Sequence, residues 1–293
     1  MHLLSQALDS VFAQTFTDYE VIVVDDGSTD GTRDYLSSLG NRVTVLSHSN
    51  GGPGAARNLG ARYAAGDYFA FLDSDDRWFP WTLSCFADLI GRYDRPAILS
   101  ARLMEFAVES ELETVERTET KADVFRDYYS SYRHSYFVGS GMSVLRRDAF
   151  RNSFGYADVI SSFEDHDLIL RMGDASGFVQ LVEPVTLAYR KHSESLTRLS
   201  YRSFEGARYV VRQEMERLYP GGPARAGARR AIITQRIRPV TVSLLENGLW
   251  REAWVLYRAT FVWNFLLGRC KYLLGFPVKA FVVWISTTLR RPL

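Results

Sequence analysis

The feature that most constrains the fold is a short apolar run that ends abruptly in acidic residues. Tyr68–Leu72 is followed at once by Asp73-Ser74-Asp75-Asp76. A short apolar run bounded by polar residues predicts a strand buried on both faces, as in a parallel sheet covered by helices. Three carboxylates at the end of such a strand repel one another and are costly to desolvate, which predicts a cation beside them. Mg²⁺ or Mn²⁺, held by one or two carboxylates and by substrate phosphates, is the expected cation.

Strands and helices alternate at short spacing through the first half of the chain, which predicts an α/β fold. We expect a doubly wound, mainly parallel, Rossmann-like sheet that binds ligands beyond the carboxyl ends of its strands. Residues 97–189 are less regular, and Pro184 places their last strand or pair of strands, at 179–189, near a sheet edge. The predicted elements are helices near residues 4–12, 30–39, 55–65, 80–93 and 162–172, strands near 20–24, 42–46, 68–72, 97–105, 138–145 and 179–189, and a polar loop or hairpin at 109–121.

Charge is distributed unevenly along the 293 residues. Residues 1–200 carry 19 lysines and arginines against 29 aspartates and glutamates, whereas residues 201–293 carry 16 against 5. We expect an acidic domain at 1–200 that can hold a cation, followed by a basic, aromatic-rich helical appendage at 201–293. Basic helices rich in tryptophan suit a membrane surface, although a helical subdomain packed on the core or a dimer interface has a similar composition. No nucleic-acid partner is expected.

The cysteines and the first residues bear on the compartment. Cys85 and Cys270 lie far apart in unrelated contexts, which predicts neither a disulfide nor a zinc site and favours a reducing compartment. The first ten residues lack the basic segment and the long apolar segment of a signal peptide. We therefore expect a cytoplasmic protein, with its basic region held peripherally at the inner face of the cell membrane.

Two further stretches are expected to converge with the acidic cluster. One strand ends in Asp25-Asp26, and a glycine-rich turn precedes a helix that carries Arg57, where a nucleotide's negative charge would be favourable. In combination the motifs resemble those of family 2 glycosyltransferases with the GT-A fold, which use nucleotide-diphosphate sugars. The resemblance covers about residues 3–195. Its motifs are Val23-Val24-Asp25-Asp26-Gly27-Ser28, Gly54-Ala55-Ala56-Arg57-Asn58-Leu59-Gly60, the "DxD" motif Asp73-Ser74-Asp75, and Glu164-Asp165.

The resemblance implies a role for each matching residue. Asp26 would bind the edge of the uracil or other base, and Arg57 would contact the nucleotide. Asp73 would bind the ribose hydroxyls, and Asp75 would coordinate the Mg²⁺ or Mn²⁺ that bridges the diphosphate. Asp165 would be the base that deprotonates the acceptor hydroxyl.

This set of groups also makes chemical sense without the resemblance. A divalent cation stabilises the charge that develops on a diphosphate leaving group. The sugar carbon becomes oxocarbenium-like, and one carboxylate on the opposite face can take the proton of the acceptor hydroxyl. One base and one metal imply inversion, so an α-linked donor would yield a β-linked product. The expected partners are a nucleotide-diphosphate sugar, with a UDP-sugar favoured, and a saccharide or lipid-linked acceptor in polysaccharide or glycolipid synthesis.

Several of these residues have a structural alternative. One of Asp25 and Asp26 is expected only to cap the turn that follows. Glu164-Asp165 would equally suit the first turn of a helix. His192 matches a late family motif and could approach the metal or the diphosphate, but it would also serve as an ordinary surface or core histidine. We interpret His166 as structural, because its acidic neighbours point to other helix faces.

The chain departs from the family at its start. Family members begin with an apolar strand before the helix that here starts at Leu3. That strand is central, so its loss would leave a gap in the sheet and unpaired backbone groups. We expect the natural start to lie upstream, and a truncated or non-catalytic nucleotide-sugar-binding protein is the alternative function. A dehalogenase-type phosphatase fits less well because no threonine follows Asp75, and a phospho-receiver module does not explain the glycine-rich segment with Arg57.

Overall fold

The computed structural model describes residues 1–191 and 200–289, so His192 lies outside the described residues. The chain divides into two compact units, one of Met1–Tyr128 with Tyr136–Ser195 and one of Tyr129–Ser135 with Leu196–Leu293. The regular elements, in chain order, are α1 His2–Phe12, β1 Ile22–Asp25, α2 Thr32–Ser38, β2 Thr44–Ser47, α3 Gly52–Tyr63, β3 Tyr68–Ala70, β4 Arg77–Trp78, α4 Thr82–Arg92, β5 Ile98–Ser100, β6 Leu103–Phe106, β7 Lys121–Phe125, β8 Ser143–Arg146, α5 Arg147–Asn152, α6 Glu164–Arg171, β9 Phe178–Glu183, β10 Leu187–Arg190, α7 Ser200–Met215, α8 Gly222–Glu246, α9 Trp250–Leu266 and α10 Cys270–Leu289.

The described strands of the first unit form three sheets. Their strand orders are β3-β8-β5-β9-β7, β4-β10-β6 and β1-β2. The pairings β1–β2, β5–β9 and β6–β10 are parallel, whereas β3–β8, β5–β8, β7–β9 and β4–β10 are antiparallel. The predicted α/β fold with parallel pairings and a helical C-terminal region is therefore confirmed.

The two strands that lead into the acidic motifs, β1 and β3, are not neighbours in one sheet. Among the described residues, β1 bonds to β2 and β3 bonds to β8. A cavity of about 1720 Å³ lies between them, and the residues around it include Val23, Phe69 and Leu8. The prediction that Tyr68–Leu72 is buried on both faces is wrong, because Phe69 is buried but Ala70 is exposed at this cavity.

Three other predicted details differ from the structure. The single strand expected at 97–105 is two strands, β5 and β6, which belong to different sheets. The polar segment 109–121 leads into a strand that was not predicted, β7, which pairs with β9. Pro184 does not mark a sheet edge. It lies between β9 and β10, both of which have partners on two sides, and at that position it interrupts no ladder hydrogen bond.

The main core of the first unit lies where α4 packs on the five-stranded sheet. Cys85 and Leu89 of the helix contact buried strand residues such as Leu99 and Val179. Burial of each such aliphatic side chain stabilises the fold by about 1.5–3 kcal/mol. Cys85 is buried, Cys270 is exposed, and neither forms a disulfide in the structure.

The second unit is helical. α9 and α10 form a hairpin in which the rings of Tyr257 and Phe276 stack with centroids 4.5 Å apart. The Tyr257 hydroxyl donates to the Leu273 carbonyl at 2.8 Å, which fixes the register of the two helices. Over the described residues, no helix is both long and apolar enough to cross a membrane.

Candidate active site

The acidic cluster forms a tight turn after β3. The Asp76 amide donates to the Asp73 carbonyl at 3.1 Å, and this contact turns the Asp76 side chain inward, where it is 2% exposed. The Asp76 carboxylate accepts a hydrogen bond from the Arg190 amide at 2.9 Å. Burial raises the pKa of Asp76 to about 7, and the charges of Asp73 and Asp75 add to that shift. The turn therefore concentrates negative charge at the end of the strand.

Arg190 of β10 fastens this turn to the neighbouring sheet. Its Nε donates to the Asp75 carbonyl at 2.9 Å, and its Nη1 donates to Glu109 Oε1 at 2.9 Å. The guanidinium carbon lies 4.5 Å from the centroid of the Phe106 ring. Arg190 was not predicted to act in the site, although it stands in the same late motif as His192, Tyr189-Arg190-Lys191-His192. A basic residue beside a motif histidine was the available signal.

Arg57 of α3 joins two of the motifs. Its Nη2 donates to Asp73 Oδ1 at 2.6 Å, and its Nη1 donates to Glu164 Oε1 at 3.3 Å. The same Nη1 lies 3.9 Å from Asp165 Oδ1. Burial alone would lower the pKa of Arg57, but the charge of Asp73 and of other site groups outweighs it and raises that pKa well above its ordinary value. Arg57 thus brings Asp73 and Asp165 together.

Asp165 lies in the first turn of α6, as expected of an acid that stabilises a helix start. This position is also compatible with the predicted role of a general base. Its Oδ2 accepts a hydrogen bond from the Ser140 amide at 3.1 Å. Its Oδ1 is buried and accepts no hydrogen bond from the described residues. Burial raises the pKa of Asp165 to about 6, with Arg57 opposing the shift and Glu164 adding to it. A carboxylate with this pKa is a stronger base than an ordinary aspartate and is still ionised near neutral pH.

Two residues without a predicted role shape this cluster. Asn58 donates from Nδ2 to the Tyr156 carbonyl and accepts from the Tyr156 amide, both at 2.8 Å. This paired contact holds the Tyr156 ring centroid 5.2 Å from the guanidinium carbon of Arg57. Asn58 stands inside a recognised motif, so its position was a signal. Tyr156 belongs to no motif, and sequence analysis had no means of finding it.

Asp25 is the residue that caps the turn after β1. Its Oδ1 accepts from the Ser28 amide at 2.9 Å, and its Oδ2 accepts from Arg33 Nε at 2.8 Å. The Ser28 side chain contributes most to lowering the pKa of Asp25, burial opposes the shift, and Arg33 and the Ser28 amide lower that pKa further. Asp25 is thus the acid of the pair that caps the turn, and it also pairs with Arg33.

Asp26 holds the glycine-rich turn that precedes α3. Its two carboxylate oxygens accept from the Gly51 and Gly52 amides at 2.7 and 2.8 Å, and His48 Nδ1 lies 2.8 Å from Oδ1. Burial would raise the pKa of Asp26, but the contact with His48 and the two amides lowers it. Gly52 has φ +84°, a left-handed conformation that favours glycine, which explains the residue type at this position. Binding of a nucleotide base by Asp26 stays a prediction.

The acidic turn suits a hard cation that is held partly by its substrate. Over the part of the chain that is described, no three His, Cys, Asp or Glu side chains are arranged to hold a metal by themselves. A cage of that kind is not required, because Mg²⁺ is commonly bound by one or two carboxylates together with phosphate oxygens. Asp73 and Asp75 add their negative charges to the environment of Asp76. The donor set therefore fits the expected Mg²⁺ or Mn²⁺, while the ligand roles of Asp75 and His192 stay predictions.

The chain resembles known glycosyltransferases over only part of its length. The succinoglycan biosynthesis protein ExoW of Rhizobium meliloti (strain 1021) is 49% identical over 84 residues, which are 27% of this chain and 26% of that protein. The uncharacterized glycosyltransferase alr2836 of Nostoc sp. (strain PCC 7120 / SAG 25.82 / UTEX 2576) is 44% identical over 84 residues, with the same coverage of 27% and 26%. The aligned segment thus spans about a quarter of the length of these curated relatives.

Solved structures resemble the chain over most of its length. S. aureus TarS 1-349 in complex with UDP-GlcNAc superposes with a TM-score of 0.71 at 19% identity, covering 96% of this chain and 85% of that one. The mannosyltransferase PcManGT from Pyrobaculum calidifontis, in complex with GDP-Man and Mn²⁺, has a TM-score of 0.52 at 16% identity, with 96% and 83% covered. At these identities the likeness shows a shared GT-A-like fold alone.

The sequence model of one family covers the motifs of the site that precede Glu164-Asp165. The model described as "Glycosyl transferase family 2" matches residues 2–154, which is more than half of the chain. The match contains the two acidic strand ends and the helix with Arg57. The chain is therefore a member of glycosyltransferase family 2.

Proposed function

We propose that the protein is an inverting, divalent-metal-dependent glycosyltransferase that moves a sugar from a nucleotide-diphosphate donor to a hydroxyl acceptor. The observation that carries this proposal is the convergence of Asp73 and Asp165 on Arg57, from motifs far apart in the sequence. The guanidinium of Arg57 thus lies beside both a proposed donor-binding residue, Asp73, and a proposed general base, Asp165. A single displacement at the anomeric carbon needs both of these groups.

In the proposed reaction, Asp165 takes the proton of the acceptor hydroxyl. The acceptor oxygen forms a bond to the anomeric carbon while the bond from that carbon to the diphosphate oxygen breaks, and the electron pair leaves on the diphosphate. Because attack and departure occur on opposite faces, an α-linked donor gives a β-linked product. The raised pKa of Asp165, about 6, makes its carboxylate a better proton acceptor than an ordinary aspartate.

Other residues would hold the donor. Asp26 and Arg57 contact the nucleotide and Asp73 the ribose hydroxyls, while Asp75 is the proposed metal ligand, with His192 as a further candidate. The metal, Mg²⁺ or Mn²⁺, would stabilise the charge that develops on the departing diphosphate. We favour a UDP-sugar donor. The TarS structures with UDP and UDP-GlcNAc and the PcManGT structure with GDP-Man and Mn²⁺ support a nucleotide sugar and a divalent metal.

The acceptor we propose is a saccharide or a lipid-linked saccharide, in polysaccharide or glycolipid synthesis. The name of ExoW, a succinoglycan biosynthesis protein, supports this class of product.

The test is donor turnover with Mn²⁺ by the wild-type chain and by Asp75→Asn and Asp165→Asn. Asp174, an exposed acid that follows α6, provides the matched control Asp174→Asn. We expect turnover to collapse in both site variants and to persist in the control. Unchanged turnover in the site variants would remove the assignment. Thermal stabilisation by UDP-sugars and GDP-sugars compares the donor classes independently, since ligand at about 100 times its Kd adds about 2.7 kcal/mol.

A second candidate function is nucleotide-sugar binding without turnover. The cavity of about 1720 Å³ between β1 and β3 favours it, because Asp26 and Asp73 both line this cavity and the two strands belong to different sheets among the described residues. Metal-dependent stabilisation by a nucleotide sugar, together with no product from any acceptor, would support binding alone.

A further inference from the structure

The hairpin of α9 and α10 exposes large apolar side chains along one face of each helix. On α9 these are Val255, Phe261, Val262, Phe265 and Leu266, and on α10 they are Leu274, Val278, Phe281, Val282 and Ile285. The spacing of three, four and seven residues places each set on one side of its helix. We name this surface the hairpin face. Leu266 and Leu274 are its most exposed leucines, at 70% and 73%.

The opposite side of each helix is apolar as well. Leu256 and Trp263 of α9, and Leu273 and Phe276 of α10, are buried within the helical unit. Each helix is therefore apolar on two sides, although one of these sides is exposed. A helix of this kind is typical of protein interiors and of membranes. Packing within the helical unit accounts for the apolar residues on the buried side. It does not account for the apolar residues of the hairpin face.

Cations accompany the hairpin face. Arg251, Arg258 and Lys271 are exposed, and Arg251 and Arg258 follow the helical spacing of the exposed apolar residues on α9. Glu252 is the one acidic residue between Asn247 and Leu289. Apolar side chains flanked by cations complement a surface that is anionic outside and apolar beneath, which describes a bilayer that contains anionic lipid.

We propose that the hairpin face binds the surface of a bilayer containing anionic phospholipid and lies in its interface. Insertion across the bilayer is not expected, since no described helix is long and apolar enough to span it. A second copy of the chain is a poorer partner. An isologous contact through this face would bring arginines of like charge together with few acids to pair them. This inference goes beyond the proposed function and does not depend on turnover.

The test is sedimentation of the full chain with phosphatidylcholine vesicles that either contain or lack phosphatidylglycerol. The main variant combines Leu266→Asp and Leu274→Asp. The matched control is Leu218→Asp, because Leu218 is 59% exposed in the same unit but lies outside the hairpin. We expect binding to the anionic vesicles to fall by at least about a hundredfold in the double variant, since two apolar contacts are lost and two anions are added. The control should bind nearly as the wild type does.

A second variant removes charge without changing the apolar residues. Arg251→Gln with Arg258→Gln should weaken binding by about fivefold for each arginine and reduce its sensitivity to salt. Equal binding to neutral and anionic vesicles, no binding to either, or equal losses in Leu218→Asp and the double variant would overturn the proposal. A wild-type dimer in solution that Leu266→Asp with Leu274→Asp converts to a monomer would also overturn it, in favour of a second copy. Donor turnover in vesicle-free solution is measured separately, so failure here leaves the proposed reaction untouched.

Discussion

Both units of the protein contain buried carboxylates, and Glu214 in one unit and Asp165 in the other are paired to different degrees. In the helical unit, the Glu214 carboxylate is 1% exposed. It accepts hydrogen bonds from Arg229 Nε at 2.6 Å and from Arg230 Nε at 3.1 Å. Arg229 also donates to the carbonyls of Pro220 and Gly222 at 2.8 and 3.0 Å. In the first unit, the buried Oδ1 of Asp165 accepts no hydrogen bond from the described residues.

The difference in pairing separates a structural charge from a reactive one. A buried ion pair whose polar atoms are all occupied holds its helices together and offers nothing to a substrate. A buried carboxylate with an oxygen that accepts no hydrogen bond has a raised pKa and can accept a proton from a substrate. Its incomplete hydrogen bonding lowers the stability of the fold. The pairing of Glu214 is complete, whereas Asp165 and Asp76 remain incompletely compensated. The predictions below test that contrast from the largest effect to the smallest.

The largest effect is expected from Asp165→Asn. An amide cannot accept the acceptor's proton, so turnover should fall by about a thousandfold, within the range for loss of a general base. Steady-state rates with saturating donor measure this change. The far-ultraviolet circular dichroism should be unchanged, because Asn keeps an oxygen for the Ser140 amide. A loss of turnover of less than about tenfold would show that Asp165 is not the general base.

Arg229→Met should give the largest loss of stability. It leaves Glu214 buried with one of its two partners gone, and breaking a buried pair costs about 3–5 kcal/mol in the free energy of unfolding. Urea denaturation followed by circular dichroism measures it. The control is Arg208→Met, because Arg208 is exposed and its pair with Glu205 at 3.1 Å is a surface pair worth about 0–1 kcal/mol. Equal effects from the two variants would contradict the contrast.

Asp76→Asn should stabilise the protein at neutral and alkaline pH. The pKa of Asp76 is about 7 in the folded protein against an ordinary 3.8, so ionisation opposes folding increasingly as pH rises between those values. The substitution removes that cost and should add about 1–3 kcal/mol to the free energy of unfolding above pH 7. Below pH 4 the variant and the wild type should unfold alike. Chelator is included so that bound metal does not mask the difference. A destabilised variant at pH 8 would show that the charge of Asp76 is compensated.

The smallest effect is a displacement of the pH profile. Turnover should rise with pH and reach its plateau above about 6, because Asp165 accepts a proton only when ionised. Arg57 lowers that pKa, so Arg57→Gln should move the rising limb to higher pH and recover part of its lost activity there. Arg62→Gln, an exposed residue of the same helix, is the control. If the rising limb of the pH profile does not move in Arg57→Gln, Arg57 does not influence the group whose ionisation controls turnover.

How far the sequence predicts the site depends on how local each feature is. The acidic turn and the cap at Asp25 follow from neighbouring residues, and both were predictable. Arg57 could be placed near a nucleotide from its glycine-rich motif, but its contact with Glu164 joins residues 107 positions apart. Tyr156 carries no local signature, and the motif that contains Arg190 does not reveal its contact with Asp75, because both roles arise only from the elements packed beside these residues. The division of 97–105 into two sheets was hidden for the same reason.

The sequence by itself determined the α/β class, the family, the acidic and basic halves and the residue types available for chemistry. These depend on composition, periodicity and short motifs, which are properties of neighbouring residues. Only the tertiary structure decided which buried carboxylates are fully hydrogen-bonded and which keep an oxygen that accepts no hydrogen bond, because burial and pairing depend on distant segments. It also decided that one apolar side of α9 and α10 is covered while the other is exposed. Periodicity shows that a helix has faces, but only packing shows what each face contacts.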